Sequence, residues 1–243
     1  MKVVGIIPAR YESTRLPGKP LMDICGHPMI WWVYQRVKNV KELNEIYVAT
    51  DDERIESVCI ENNIPVVMTS NKHQTGAHRL QEVSEKIHAD FYVQLNGDEP
   101  LINCDAIRTS IPDFVPQDVE FGTNIITKIN EPSQVIDSSN IKMVFDSHYN
   151  ALYMSRTPIP YPFKEIDFVY YKHVGIIGYN KKMLDFYKNS VPGRLEKIEG
   201  IDTLRFLDYG KTLKLFEVDN CESLSVDTEK DLQMVRKMME GLI

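Results

Sequence analysis

Three cationic side chains lie on one short segment near the start of the chain. Arg10, Arg15 and Lys19 fall within PARYESTRLPGKPL, which runs from Pro8 to Leu21. A triphosphate needs several cations and backbone N–H donors around it, on a loop that can wrap closely. The segment follows neither the Walker pattern nor the dinucleotide GxGxxG pattern. We interpret it as a triphosphate-binding loop, with a solvated basic loop as the alternative.

Two aspartates further along the chain suit a divalent cation. Asp98, in QLNGDEPLI, comes directly after an apolar run, and Gly97 before it allows a tight turn. Asp227, in SVDTEKDL, lies beside the expected start of the last helix. Mg²⁺ prefers octahedral oxygen ligation with few protein carboxylates and substrate phosphates. The alternatives are an Asx-type turn for Asp98 and helix capping for Asp227.

Composition limits the partners of the chain. Its 243 residues are 43% hydrophobic, which is enough for the core of one domain. The formal net charge of −7 repels nucleic acid and anionic membranes, so neither is expected to bind. Apolar runs are shorter than a membrane span. The four cysteines are scattered without CxxC spacing, which favours reduced thiols and a cytoplasmic protein.

Alternating elements in the first half predict an α/β sheet. Apolar runs predict strands at Val3–Pro8, Glu45–Thr50, Pro65–Met68 and Phe91–Leu95. Helix-like stretches lie between them at Pro28–Asn39, Asp52–Asn62 and Gly76–Ala89. This alternation predicts parallel strands whose carboxyl ends meet at one edge, where ligands usually bind. We therefore expect three strand-exit loops to meet there: Pro8–Lys19, Thr69–His73 and Asn96–Pro100.

The second half predicts a different pattern. Antiparallel strands are expected at Thr123–Ile129, Ile141–Asp146, Ala151–Ser155 and Lys172–Tyr179. Gly193–Gly210 is expected to be helical and Thr212–Val218 to be a strand. The last amphipathic helix is expected over Thr228–Gly241, with Thr228 as its cap and Asp231 in its first turn. We treat residues 1–243 as one domain with a β-rich segment at about 123–179.

In combination, the motifs resemble the CMP-Kdo synthetases, also called 3-deoxy-manno-octulosonate cytidylyltransferases. The likeness runs nearly end to end and rests, in order, on IIPARYESTRLPGKPL, IYVATDDERI, VVMTS with HQTG, NGDEPLI, ALYMSR, YKHVGIIGY and VDTEKDL. It implies an α/β, nucleotide-diphospho-sugar transferase-like fold: a Rossmann-like, mostly parallel sheet with an inserted antiparallel β segment. It also implies a homodimer, and we expect the inserted segment to supply the contact.

The resemblance implies a reaction in which CTP and a 2-keto-3-deoxy sugar acid give a CMP-sugar and pyrophosphate. The anomeric hydroxyl of the sugar acid attacks the α-phosphate, while Asp98 and Asp227 hold Mg²⁺. The residues expected to act in catalysis are Arg10, Arg15, Lys19 and Asp98. The residues expected to bind the nucleotide are Pro8, Ala9, Arg10, Ser13, Arg15, Lys19, Thr69, His73, Gln74, Thr75 and Gly76. The residues expected to bind the sugar are Asn96, Arg156, His173, Asp202 and Thr203, with Arg156 gripping the carboxylate bidentately.

Several positions on the sugar side depart from the pattern of the family. Asn96 stands where the family usually has Gln, and Ala77 and His78 stand where it has Thr followed by an acid. Asp202 and Thr203 replace a Glu–Gln pair. Since the phosphate and metal motifs are intact, we expect retained CTP chemistry. The resemblance implies Kdo as the default acceptor, and the changed positions favour an altered preference for a close relative of it.

Two other functional classes remain open at this level. A nucleotide-sugar glycosyltransferase could use the Asp98 region for its metal, but it would not obviously need a loop with three cations. A non-catalytic nucleotide-sensing protein would fit the altered sugar side, but not the two retained aspartates. Pyrophosphate release from CTP and a sugar acid distinguishes the three classes.

Overall fold

The computed structural model describes residues 1–13, 15–221 and 224–241. Its strands are β1 Val3–Ala9, β2 Asp23–Ile24, β3 His27–Pro28, β4 Glu45–Thr50, β5 Val66–Met68, β6 Phe91–Leu95, β7 Gly122–Lys128, β8 Lys142–Phe145, β9 Ala151–Ser155, β10 Tyr171–Tyr179 and β11 Leu213–Glu217. Its helices are α1 Met29–Val37, α2 Glu53–Glu61, α3 Gly76–Lys86, α4 Cys104–Thr109, α5 Pro132–Ile136, α6 Lys181–Asn189, α7 Arg194–Glu199, α8 Leu204–Asp208 and α9 Glu229–Glu240.

The first half forms the predicted parallel α/β sheet. Strands β6, β1, β4 and β5 lie side by side and parallel, in that order. β1 is apolar on both faces because both are covered: Val3 and Ile7 pack into one core cluster, and Val4 and Ile6 into the other. The carboxyl ends of β1, β5 and β6 consequently share one edge of the sheet.

The second half continues the same sheet. β10 runs antiparallel between β6 and β7, and β11 runs parallel to β7 at the sheet edge. β10 has nine residues whereas β6 has five, and the first residues of β10, Tyr171 and Lys172, pair with β8 instead. The expected antiparallel strands are confirmed. However, β7 and β10 belong to the central sheet, and β8 and β9 extend from it.

One predicted helix is broken into two. The sequence predicts a helix over Gly193–Gly210, whereas the structure has the short helices α7 and α8 there. α7 ends at Gly200, whose φ of 63° lies in the left-handed region that favours glycine. The sequence pattern also does not reveal α4, α5 or α6. None of the helices in the described ranges has the length and apolar content that a membrane span requires.

The last helix packs against the segment that follows β1. Leu232 and Val235 of α9 share a core cluster with Leu16, Ile24 and Met29. As predicted, α9 starts from a capping box in which Thr228 and Asp231 bond each other's backbone N–H groups. This packing brings the residues just before α9 close to the basic loop.

Candidate active site

The ammonium of Lys19 lies between two carboxylates from distant parts of the chain. Lys19 Nζ donates to Asp98 Oδ2 at 2.5 Å and to Asp227 Oδ1 at 3.0 Å. Arg15 Nη2 lies 3.1 Å from the other oxygen of Asp227. Burial lowers the pKa of Lys19, but Asp98 and Asp227 outweigh it and hold the pKa above its ordinary value. The structure therefore brings together four residues that the sequence identified separately.

Backbone contacts position Asp98 in this cluster. Asp98 follows Gly97, where a Cβ atom would lie 2.8 Å from the Pro8 carbonyl oxygen. Only glycine therefore lets the exit of β6 approach the end of β1 so closely. The Val226 N–H donates to the Asp98 carbonyl oxygen at 2.9 Å. These contacts hold the loops after β1 and β6 beside the segment that carries Asp227.

The basic loop is closed on itself. The Gly18 N–H donates to the Tyr11 carbonyl oxygen at 2.8 Å, and Gly18 has a φ of 70°, which favours glycine. Leu16 is buried, and its N–H donates to the Ser13 hydroxyl at 3.4 Å. Arg10 is exposed, and its side chain makes no hydrogen bond or ion pair with any residue in the described ranges. Arg10 is thus available to an anionic ligand.

Asp98 and Asp227 suit a hard divalent cation, because both direct a carboxylate oxygen at one positive centre. The structure contradicts the capping interpretation of Asp227, since Thr228 caps α9 while the Asp227 side chain pairs with Lys19. Across residues 1–13, 15–221 and 224–241 there is no group of three or more His, Cys, Asp or Glu side chains that could hold a metal. A cation here would complete its shell with phosphate oxygens and water, as Mg²⁺ commonly does.

Thr69, a predicted nucleotide contact, is buried in a network of protein contacts. Its hydroxyl donates to the Thr50 carbonyl oxygen at 3.0 Å and accepts from Arg79 at 2.5 Å. The same buried guanidinium pairs with Asp51 at 3.1 Å. Thr69 and Arg79 therefore tie the exits of β4 and β5 together, and the Thr69 hydroxyl serves the fold.

Glu82 of α3 holds His73, which lies in the loop before that helix. His73 Nε2 lies 2.6 Å from Glu82 Oε2, which also accepts the Ser70 N–H at 2.8 Å. Lys86 donates to the other carboxylate oxygen at 2.7 Å. Burial raises the pKa of Glu82, but the hydrogen bonds from Lys86, Ser70 and His73 outweigh it and lower the pKa to about 2. The charged Glu82 thus fixes the loop before α3.

Helix α3 begins where the sequence predicts. The Thr75 hydroxyl caps it by accepting the His78 N–H at 3.3 Å, and it lies 3.1 Å from His78 Nδ1. Gly76 stands against Gln94, whose Oε1 would be 3.0 Å from a Cβ atom at that position. Gln74 is exposed, so of these loop residues its side chain is the one most open to a ligand.

The sequence analysis did not identify the residues that support this loop. Arg79, Glu82 and Lys86 follow Thr75 at intervals of three or four residues, and these intervals place all four on one face of α3. The signal in the sequence is this spacing of charged residues along one face of the helix that follows the loop.

Asn96 and His173 line one cavity of about 200 Å³, which Lys172 also lines. His173 Nδ1 lies 2.7 Å from Asn124 Oδ1, and burial lowers the pKa of His173 to about 4. The imidazole is therefore neutral near physiological pH. Asn96 donates to Glu99 Oε1 at 2.7 Å. The structure thus brings these two predicted sugar-side residues together.

Arg156 does not have the predicted arrangement. Its guanidinium donates to three backbone carbonyl oxygens: those of Glu199 at 2.8 Å, Ser138 at 2.9 Å and Gly200 at 3.2 Å. These bonds clamp the end of α7 to the loop before β8. Three of the five N–H donors of Arg156 are used inside the protein, so this geometry disfavours the predicted bidentate grip on a sugar carboxylate.

The neighbouring residues Asp202 and Thr203 differ in role. Thr203 is buried and its hydroxyl donates to Met154 Sδ at 3.1 Å, so it packs inside the protein rather than contacting a sugar. Asp202 has an exposed side chain. Surrounding protein and then Glu196 raise the pKa of Asp202, while the charges of Arg205 and then Arg10 lower it. Asp202 therefore lies within electrostatic range of both guanidinium groups.

Comparison with known proteins identifies close relatives. A family model described as cytidylyltransferase matches residues 4–214. A 3-deoxy-manno-octulosonate cytidylyltransferase of Fusobacterium nucleatum is 40% identical over 237 residues, which are 97% of this chain and 96% of the relative. An 8-amino-3,8-dideoxy-manno-octulosonate cytidylyltransferase of Shewanella halifaxensis is 38% identical over 239 residues, covering 96% of this chain and 97% of the relative.

Solved structures agree with these relatives. A CMP:2-keto-3-deoxy-manno-octonic acid synthetase complexed with CTP matches with a TM-score of 0.93 and 37% identity, covering 100% of both chains. The inositol-1-phosphate CTP transferase of T. maritima matches with a TM-score of 0.67 and 15% identity, covering 99% of this chain and 97% of that one. The second likeness concerns the fold alone.

Proposed function

The chain belongs to the cytidylyltransferase family, and on that premise we propose that it couples CTP to a 2-keto-3-deoxy sugar acid, giving a CMP-sugar and pyrophosphate. The observation that carries this proposal is the Lys19 ammonium between Asp98 and Asp227. At this point the proposed triphosphate-binding loop, which carries Lys19, meets the two proposed metal ligands, which come from two distant segments of the chain. A nucleotidyl transfer needs that combination of cations and carboxylates.

The reaction is an in-line displacement at the α-phosphorus of CTP. The anomeric hydroxyl oxygen of the sugar acid forms the new bond and releases its proton to solvent as the bond from that phosphorus to the pyrophosphate oxygen breaks. Negative charge shifts towards the leaving pyrophosphate, and Arg10, Arg15 and Lys19 neutralise it. Positioning and electrostatic stabilisation are sufficient for such a transfer without a covalent enzyme intermediate.

Asp98 and Asp227 are the proposed ligands of Mg²⁺. When bound, the ion would neutralise charge at the α-phosphate and orient the attacking oxygen. The ammonium of Lys19 cannot remain between the carboxylates while they hold a cation. Lys19 is then free to reach the triphosphate, so its place in the structure without ligand keeps two acidic groups paired until substrate arrives.

The cavity lined by Asn96, Lys172 and His173 is the proposed place of the sugar carboxylate. Because Arg156 is engaged with backbone carbonyls, Lys172 takes over its expected role as the cation. Lys172 Nζ has Gln134 Oε1 as a neutral partner at 3.1 Å, so its charge is not cancelled by that bond. His173 Nδ1 donates to Asn124 Oδ1, so Nε2 of the neutral imidazole is left as an acceptor for a hydroxyl group of the acid.

A homodimer is the proposed assembly. Large apolar side chains of the region around β9 and the following loop are exposed, among them Leu152 at 60%, Tyr161 at 82%, Phe163 at 82% and Ile166 at 83%. Exposed apolar surface of this extent commonly marks an interface. Light scattering coupled to size-exclusion chromatography tests it, with Phe163→Asp expected to give a monomer and wild type a dimer.

Pyrophosphate release tests the proposed function. Purified protein is incubated with CTP, Mg²⁺ and a panel of 2-keto-3-deoxy sugar acids, with ATP and GTP as alternative nucleotides. We expect one pyrophosphate for each CMP-sugar formed and a preference for CTP, because the loop at 73–76 resembles the cytosine-side loop of the family. Transfer of sugar from a nucleotide-sugar to a glycan would instead favour a glycosyltransferase. CTP binding without turnover of any acid would favour a nucleotide-sensing protein.

A further inference from the structure

Two buried polar atoms near the start of α3 lack partners. Gln94 Oε1 and the Tyr187 hydroxyl are buried and have no hydrogen-bond partner within the described part of the chain. Burying such a group without a hydrogen bond is costly, and most buried polar groups in folded proteins are paired. Two unpaired atoms near the same helix start therefore indicate a place where a ligand completes the bonding.

Gln94 lies beneath the loop that precedes α3. It is on β6, two residues before Asn96, so the two side chains leave the same face of the sheet. A Cβ atom at Gly76 would lie 3.0 Å from Gln94 Oε1 and 3.1 Å from its Nε2. The Gln94 amide thus lies directly against the first residue of α3, next to the predicted ligand-binding residues.

Tyr187 reaches the same place from α6. Its ring is fully buried between the Arg205 guanidinium, 3.8 Å from the ring centre, and the His78 ring, 4.7 Å away between centres. Burial raises the pKa of the Tyr187 hydroxyl and the charge of Asp202 raises it further, while the neighbouring Thr75 side chain lowers it. The hydroxyl is therefore un-ionised and lies within electrostatic range of Asp202 and of Thr75, the cap of α3.

The side chains of Gln94, Tyr187 and Asp202, which we call the acceptor wall, favour a ligand rich in hydrogen-bond donors. Gln94 Oε1 and the Asp202 carboxylate accept hydrogen bonds, and the Tyr187 hydroxyl can do so. Burial, followed by Arg205 and His73, lowers the pKa of His78, so it adds no positive charge near neutral pH. Neither the Gln94 amide nor the un-ionised Tyr187 hydroxyl supplies a positive charge for a triphosphate, and cytosine offers a single amino donor. A sugar acid carries several hydroxyl or amino groups.

We propose that Gln94 and Tyr187 bind hydroxyl or amino groups of the acceptor sugar and help to determine which acid is used. This inference rests on the proposed cytidylyltransferase function. The unpaired atoms cost the free protein stability and gain partners only in the complex, which is the usual trade-off at a binding site. Removing either atom should weaken acceptor binding without destabilising the fold.

Tyr187→Phe and Gln94→Met test the proposal. Each variant is expected to raise the acceptor KM about 5- to 10-fold, with an unchanged CTP KM and a ligand-free Tm that is unchanged or higher. Tyr92→Phe is the matched control, because the buried Tyr92 hydroxyl donates to Ile87 O and accepts the Ala89 N–H, both at 2.9 Å. It should lower the Tm by about 2–4 °C and leave the acceptor KM unchanged.

The outcomes separate this inference from the function on which it rests. If wild type releases no pyrophosphate with any acid, the proposed function fails and this inference falls with it. If wild type is active and both variants keep the wild-type acceptor KM, the inference alone is wrong, and water satisfies the two atoms. An increase confined to the CTP KM would also overturn the inference, because Gln94 and Tyr187 would then bind the nucleotide.

Discussion

The proposed metal and phosphate corner, formed by Lys19, Asp98 and Asp227, differs from the proposed sugar side of the site in how its polar groups are bonded. In the corner, Lys19, Asp98 and Asp227 pair with one another across the chain. On the sugar side, Arg156 and Thr203 bond to backbone and packing partners. Opposite charges that lie at neighbouring strand exits tend to pair with each other. A single hydrogen-bond donor can instead bond to any nearby backbone carbonyl. Charge complementarity is therefore easier to predict from sequence than the hydrogen-bond partners of single polar groups.

Asp98→Asn should give the largest effect, because the corner acts through charge. Turnover should fall on the order of 10²–10³-fold, with little change in Tm, and Asp227→Asn should behave alike. Steady-state pyrophosphate release measures this. Asp231→Asn is the control: it weakens the cap of α9 and should lower the Tm while sparing turnover. Near-normal activity of Asp98→Asn would remove the distinction between the two regions.

Lys19→Ala should come next, with a loss of about 10- to 100-fold in kcat/KM for CTP. The loss should include kcat, because contacts to the departing pyrophosphate strengthen as charge moves onto it. Initial-rate kinetics over a range of CTP concentrations separates the two parameters. A raised KM with an intact kcat would make Lys19 a ground-state binder and leave the CTP site standing.

Arg156 and Lys172 are expected to differ in role within the proposed sugar side. Arg156→Gln should destabilise the protein by about 1–3 kcal/mol, since carbonyls of Ser138, Glu199 and Gly200 lose their donor, while turnover at saturating acceptor persists. Lys172→Met should raise the acceptor KM about 10-fold with a near-normal Tm. Denaturant unfolding and acceptor titrations measure the pair. The reverse result would restore Arg156 as the carboxylate ligand.

The pH dependence of stability should reveal His173. Because its folded pKa is about 4, below the ordinary value near 6.5, the unfolded chain binds the proton more readily in that interval. The free energy of unfolding contributed by His173 should therefore fall as pH drops from about 6.5 towards 4, by at most about 1.4 kcal/mol per pH unit. His173→Gln should flatten this part of the profile. An unaltered profile would show that His173 titrates normally.

The smallest effect is expected in the choice of sugar. Because Asn96, Ala77, His78 and Asp202 depart from the family pattern, kcat/KM with Kdo should be lower than with a related acid, such as an amino-substituted, longer-chain or epimeric one. Competition between Kdo and each of these acids, read by mass spectrometry of the CMP-sugars, measures it. A consistent preference for Kdo would show that the neighbouring residues restore the same contacts.

Much of the fold and of the charged corner could be predicted from the sequence. Alternating apolar runs gave the parallel half, and the strand exits located Lys19 and Asp98 near each other. The break at Gly200 was missed because a glycine inside a helical pattern can continue or end the helix. Gln94 and Tyr187 were missed because neutral polar residues on core elements have no distinguishing spacing. What distinguishes them is that their side-chain oxygens lack hydrogen-bond partners among the described residues, and only the folded structure shows this.

The affinity for a divalent cation distinguishes a metal site at Asp98 and Asp227 from a purely structural ion-pair cluster. Mn²⁺ is titrated into wild type, Asp98→Asn and Asp227→Asn in the presence of CTP, and bound ion is counted by electron paramagnetic resonance. If the two carboxylates around Lys19 form the metal site, wild type retains the ion together with CTP and each variant loses at least about 10-fold in Mn²⁺ affinity. Unchanged Mn²⁺ affinity in both variants would contradict the account, whatever their turnover.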